Sequence, residues 1–266
     1  MDYIYLIFFV VVLILILIGS IDKHFNPAKF IVLILLTFLL PGLIALFLDS
    51  LNLFVHGDAI KNVLIGFGIG IVLYIIVLRR FNYLATFEHE FTHAVFALLF
   101  FNKITKFVVT RNRGGYVSYS GGYGGQFAQF IIALAPYFFP TFSFIFTLTR
   151  SLFGPNWFPW YDIFLGITLI YQFIGNFEEI GQNWSSSTFY VAGTKKLTLT
   201  DIASVGYIFS TVFILSMTLI FYASIFYILA GNVKPFIDIL LLIWHKSLAF
   251  YQPVYYVIFG YLQSGI

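Results

Sequence analysis

One string in the chain, His89-Glu90-Phe91-Thr92-His93, has the residue types and spacing for metal chemistry. Residues i and i+4 lie on one helix face, one turn apart, so both imidazoles can reach a single zinc ion. Glu90 is offset from both histidines but stays on the same side of the helix, where it can contact a zinc-bound water without being a ligand. Zinc brings the pKa of such a water toward neutrality, and Glu90 can then take its proton as general base. The same carboxyl can pass that proton to the leaving amine of a cleaved peptide. The chemistry implied is hydrolysis with one zinc per chain, His89 and His93 as ligands and Glu90 as base.

The run that carries the string, 84–101, is otherwise apolar, yet Glu88, His89, Glu90 and His93 fall within six consecutive residues of it. Ionisable groups in an apolar span are costly and ordinarily face a functional cavity. The plainer alternative is a pair of histidines hydrogen-bonded between helices, with Glu90 as counter-ion. Glu88 lies about 100° around the helix from His89. It points away from the metal face, as a group supporting the site or packing the helix.

The elements that must position these residues are set by composition. Of the 266 residues, 61% are apolar and 9% charged, against about 25% charged in ordinary soluble domains. With mean hydropathy at +0.96, a soluble enzyme, a disordered chain and a nucleic-acid binder are all excluded. The chain has no cysteine, so disulfides and thiolate metal sites are excluded too. What remains is an all-α, multi-pass integral membrane protein whose partner is the lipid bilayer. In a bacterium its place would be the plasma or inner membrane.

Apolar runs predict about seven transmembrane helices (six to eight) in a single membrane-embedded domain, 1–266. The spans read as 3–19, 30–48, 62–78, 84–101, 127–148, 160–175 and 201–230. The first reads as a retained helix rather than a signal peptide. Pro41-Gly42 should kink the second, and Gly66, Gly68 and Gly70 should let a neighbour approach the third closely. The segment 234–266 is an eighth span or an interfacial helix. Lys and Arg divide seven against six between the two sides, which leaves the orientation open. Between the fourth and fifth spans, 104–110 and 116–119 read as two short strands around a turn at 111–115. The interval 176–200 reads as a polar loop, with Glu178 and Glu179 a solvated pair.

The run His89-Glu90-Phe91-Thr92-His93-Ala94-Val95-Phe96-Ala97, the hairpin Gly114-Gly115-Tyr116-Val117 and the later Ala133-Leu134-Ala135-Pro136 together resemble the site-2-protease-type intramembrane zinc metalloproteases. The resemblance covers roughly 84–146, within a protease-like core at 84–230 that follows additional N-terminal spans at 1–80. It implies a zinc endopeptidase that cleaves transmembrane segments of other proteins within the bilayer. It also implies that the hairpin dips into the membrane and that its edge, at Gly114, Gly115, Tyr116 and Val117, holds the substrate extended. A strand edge can satisfy backbone groups freed when a substrate helix unwinds. The alternative for 102–126 is an interfacial loop whose Lys103, Lys106, Arg111 and Arg113 meet anionic lipid.

In that family an Asp from a later span completes the zinc site, within an Asn-Pro-Asp-Gly-like or Leu-Asp-Gly string. Neither string is present here. Asp201 fits the family's order best, ahead of Glu178, Glu179 and Asp162, and its alternative is a helix N-cap. As a ligand it must lie deep in the membrane, so the interval before it must enter a cavity lined by protein. The rival to the protease is a non-enzymatic membrane protein, either a transporter or a protease-like scaffold without turnover. His24, His56 and His245 stand alone and read as interfacial or structural.

Overall fold

The computed structural model describes residues 27–77, 82–110, 114–185, 188–190, 197–232 and 234–264. Its helices are α1 (Pro27–Val55), α2 (Ile60–Ile76), α3 (Asn82–Leu99), α4 (Gly125–Phe138), α5 (Thr141–Thr149), α6 (Phe158–Ser185), α7 (Asp201–Val205), α8 (Tyr207–Leu229) and α9 (Phe236–Ser264). Strands β1 (Lys103–Val109) and β2 (Gly115–Ser120) form an antiparallel hairpin after α3, as the sequence predicts, with Val108 opposite Tyr116 and Val109 opposite Gly115. A second short ladder joins β3 (Thr188–Tyr190) to β4 (Leu197–Leu199). The expected span 3–19 and the turn residues Arg111, Asn112 and Arg113 lie outside the described residues.

Helix α1 has no charged residue between Lys29 and Asp49, and it runs unbroken through Pro41. Proline supplies no N–H to the carbonyl four residues earlier. That carbonyl, Thr37 O, instead accepts from the Tyr251 hydroxyl of α9 at 3.5 Å. The Ser247 hydroxyl donates to Leu39 O at 3.2 Å. Phe38 stacks on Tyr251 with ring centroids 5.1 Å apart, so the segment after 234 is one helix seated along α1.

Three expected elements differ. The span 127–148 is two helices, α4 and α5, bent by 79°. Pro136 sits inside α4 without ending it; the break falls at Phe139-Pro140. The span 160–175 extends through Ser185 as α6, so Glu178 and Glu179 stand on a helix and not in a loop. The span 201–230 is divided at Gly206, whose φ of 108° leaves the helical region and suits glycine. Five residues of α7 therefore stand apart from α8.

Among the described residues, three helices are long and apolar enough to cross a membrane: Lys29–Val55, Pro155–Gly181 and Tyr207–Leu229. The count is four if the bent pair α4–α5 is one span. The chain is thus an integral membrane protein, and its described residues hold fewer clear spans than the seven expected of the whole chain. Helix α2 is apolar but, at 17 residues, shorter than these three. Helix α3 is not among the three, because its histidines and glutamates lower the hydropathy of the run.

Two kinds of contact hold the bundle near α3. Phe96 of α3 meets Phe138 and Phe139 edge-on at 5.6 and 5.1 Å, within a core that includes Phe130, Ile132, Leu134 and Phe213. Helices α2 and α6 instead close glycine to glycine. A Cβ on Gly66 would stand 2.1 Å from Ile163 O, and one on Gly166 would stand 2.2 Å from Val63 O. Gly70 faces the Ile170 side chain and the Ile167 backbone, whereas Gly68 faces nothing within 4 Å among the described residues. The small-residue expectation holds for Gly66 and Gly70 and fails for Gly68.

Candidate metal centre

Helix α3 places His89 and His93 one turn apart, with their Nε2 atoms 3.1 Å from each other. The Asp201 Oδ2 atom lies 3.5 Å from each of them. Asp201 gets there because α7 opens directly after β4, with the α7 backbone packed against α4 and α6. It is not the cap of that helix. Thr200 is, its hydroxyl oxygen accepting from Ala203 N at 3.4 Å, so the capping alternative for Asp201 is set aside.

The other ring nitrogens are already committed. His93 Nδ1 lies 2.7 Å from Ile132 O, a carbonyl that can only accept, so Nδ1 carries the proton. His89 Nδ1 lies 2.7 Å from Glu179 Oε2 on α6, which assigns its proton in the same way. With both rings neutral, as metal ligands must be, each Nε2 presents a lone pair toward the other and toward a carboxylate oxygen. Three such acceptors repel one another unless a proton or a metal cation lies between them. A tetrahedral zinc with bonds of about 2.0–2.1 Å has ligand-to-ligand edges of about 3.3–3.4 Å. The observed edges of 3.1, 3.5 and 3.5 Å bracket that value. His89, His93 and Asp201 thus form a group close enough to hold a metal ion.

A cavity of about 470 Å³ opens on these three residues, and Glu90, Gly114, Gly115, Tyr116 and Val117 also line it. Glu90 is buried, and the hairpin lies directly over it. A Cβ on Gly115 would stand 2.6 Å from Glu90 Cγ and 2.7 Å from Val108 O. Only glycine lets β2 start so close to the carboxyl.

The remaining candidates have other partners. Asp162 is buried and pairs with Arg150, with Nε–Oδ1 at 2.7 Å and Nη2–Oδ2 at 3.2 Å. Glu178 accepts from the Tyr74 hydroxyl at 2.6 Å. Glu88 is buried and accepts from Phe142 N at 3.5 Å, at the start of α5. This is the packing role its position on α3 implies. Thr92 donates to Glu88 O at 2.8 Å and also touches the Thr141 hydroxyl. The His56 ring bonds Asn52 O in the last turn of α1, and the His245 ring bonds Leu241 O within α9. His24 lies outside the described residues.

Two residues at the site were not singled out from the sequence. Glu179, assigned above to a loop, touches His89. Its signal was available: Gln172, Asn176 and Glu179 recur at helical spacing. Tyr137 was passed over as part of an apolar span. Its hydroxyl donates to Asp201 Oδ2 at 3.4 Å, and its ring meets the His89 ring edge-on at 5.5 Å.

A paired-histidine and carboxylate centre, with a buried glutamate beside it, in an integral membrane bundle, has the donor set of a membrane metallohydrolase. Residues 63–174 match the model of a protein family described as Peptidase M50B-like. The match supports the resemblance to site-2-protease-type proteases, and it spans α3, the hairpin and most of α6. It ends before Glu179 and Asp201, whose place at the centre rests on geometry. No curated protein and no solved structure matches the chain.

Proposed function

We propose that the chain is a zinc-dependent intramembrane endopeptidase that hydrolyses peptide bonds in or near transmembrane segments of other membrane proteins. One observation carries this reading: two imidazole Nε2 atoms and Asp201 Oδ2 converge while both Nδ1 atoms are bonded elsewhere. His89, His93 and Asp201 would hold the ion. Bound there, zinc would supply Lewis-acid activation of a water and of the scissile carbonyl. Glu90 is placed to take the water's proton and return it to the leaving amine. The free edge of the hairpin at Gly114, Gly115, Tyr116 and Val117 borders the same cavity, and an extended substrate segment could bond to it. The bend at Phe139-Pro140 is buried, so its non-helical backbone lies against protein rather than lipid.

The test is a metal count on protein purified in detergent, paired with cleavage of a single-span model substrate whose transmembrane segment carries a helix-breaking Gly-Pro pair. The reading expects one zinc per chain and cleavage that Glu90→Gln abolishes with zinc retained. Zinc at full occupancy with no cleavage of any such substrate would favour a scaffold. Zinc at full occupancy in the His89→Ala, His93→Ala double variant would overturn the site.

A further inference from the structure

We infer that Glu179 is the positioning residue of the centre: its carboxylate fixes the ring of His89 and strengthens that ring as a metal ligand. The inference rests on the metal reading above and adds a residue to it that lies beyond the family match. Nδ1 and Nε2 lie on opposite sides of an imidazole. With Oε2 2.7 Å from Nδ1, Glu179 borders the same cavity but is not one of the three residues whose atoms lie close enough together to hold an ion. It acts through His89 and not on the ion.

The two histidines are thereby held differently. His93 is oriented by a backbone carbonyl, Ile132 O, on α4. His89 is oriented by an anion from a helix 90 residues away in sequence. An anionic acceptor draws the Nδ1 proton more strongly than a neutral carbonyl does, which leaves more electron density on Nε2. Partners of this kind are worth about 10- to 100-fold in metal affinity.

Contacts with α2 and α4 keep Glu179 in place. The Gly66–Gly166 contact brings α6 against α2. Tyr74 of α2 holds the neighbouring Glu178 at 2.6 Å. On the other side, Asn176 donates to Tyr137 O of α4 at 3.1 Å and is itself bonded by Gln172 at 3.3 Å. A solvated glutamate pair would need none of these tethers. Helix α6 continues ten residues past the expected end of its span and presents Glu179 to α3.

The experiment uses full-length protein in detergent, with Zn²⁺ and Co²⁺ as probes. Zinc affinity is measured by chelator competition, and cobalt coordination by its visible absorption. In Glu179→Gln the amide oxygen still accepts from Nδ1, so orientation stays and only the charge goes. In Glu179→Ala both go. The expected result is a zinc affinity about 10-fold weaker for Glu179→Gln and up to about 100-fold weaker for Glu179→Ala, with a shifted cobalt band in the glutamine variant at full occupancy. Glu179→Gln is isosteric, so a loss there is not a loss of fold. A native glutamine variant beside a weakened alanine variant would still support positioning, through orientation alone. Native zinc affinity and a native cobalt spectrum in both variants would overturn the inference. Wild-type protein that binds no zinc would instead overturn the metal reading beneath it.

Discussion

Two helix pairs within the matched segment are joined by opposite means. Helices α2 and α6 meet through glycines so close that neither Gly66 nor Gly166 has room for a methyl group. Helices α3 and α4 meet through side chains: Phe96 against Phe138, and His93 bonded to Ile132 O. The first pair needs only backbone shape, because lipid chains are as apolar as the helices and close packing must supply the attraction. The second pair encloses ionisable groups, which are tolerable in an apolar span only when partners satisfy them. The rigid pair frames the chemical one, since α6 carries Glu179 to the ring of His89.

The difference can be broken from the chemical side first. His93→Ala removes one Nε2 from three converging atoms, and bound zinc should fall from one per chain to none. The measurement is a metal count after gel filtration, and native stoichiometry would end the assignment. Asp201→Asn should weaken zinc affinity markedly, since the carboxylate charge is lost while the Thr200 cap of α7 remains. Native affinity in that variant would move the third ligand elsewhere.

From the packing side, Gly66→Val should destabilise the fold by about 1–3 kcal/mol or more, as overpacked cores do. It would be read as a lowered midpoint of thermal unfolding in detergent, with zinc lost only as unfolding proceeds. Gly68→Ala, on the exposed face of α2, should stay within about 0.5 kcal/mol of wild type. Equal losses at the two glycines would erase the distinction between the helix faces. Between the two regions lies Gly115→Ala, which crowds Glu90 Cγ. It should slow cleavage while leaving zinc affinity unchanged, and a parallel loss of zinc would show that the hairpin supports the ligands as well.

The local parts of the site were legible in the residue string. The spacing of His89 and His93, the side on which Glu90 lies and the hairpin that follows are set by helical and strand periodicity over a few residues. Membrane character was legible as well, because a chain with 9% charge cannot cover a water-soluble surface. Three other features emerge only in the folded chain. The span 127–148 breaks at Pro140, where the preceding Phe139 is extended, while Pro136 stays inside α4. Gly206 separates α7 from α8, which lets Asp201 turn toward α3 independently of the long helix. Glu179 looks like half of a solvated pair until α2 and α4 hold α6 against α3. Periodicity acts over a turn or two, so it could propose two ligands and a base. Asp201, the candidate third ligand, and Glu179 come from 90 or more positions away, and only the packed bundle brings them to the same ring.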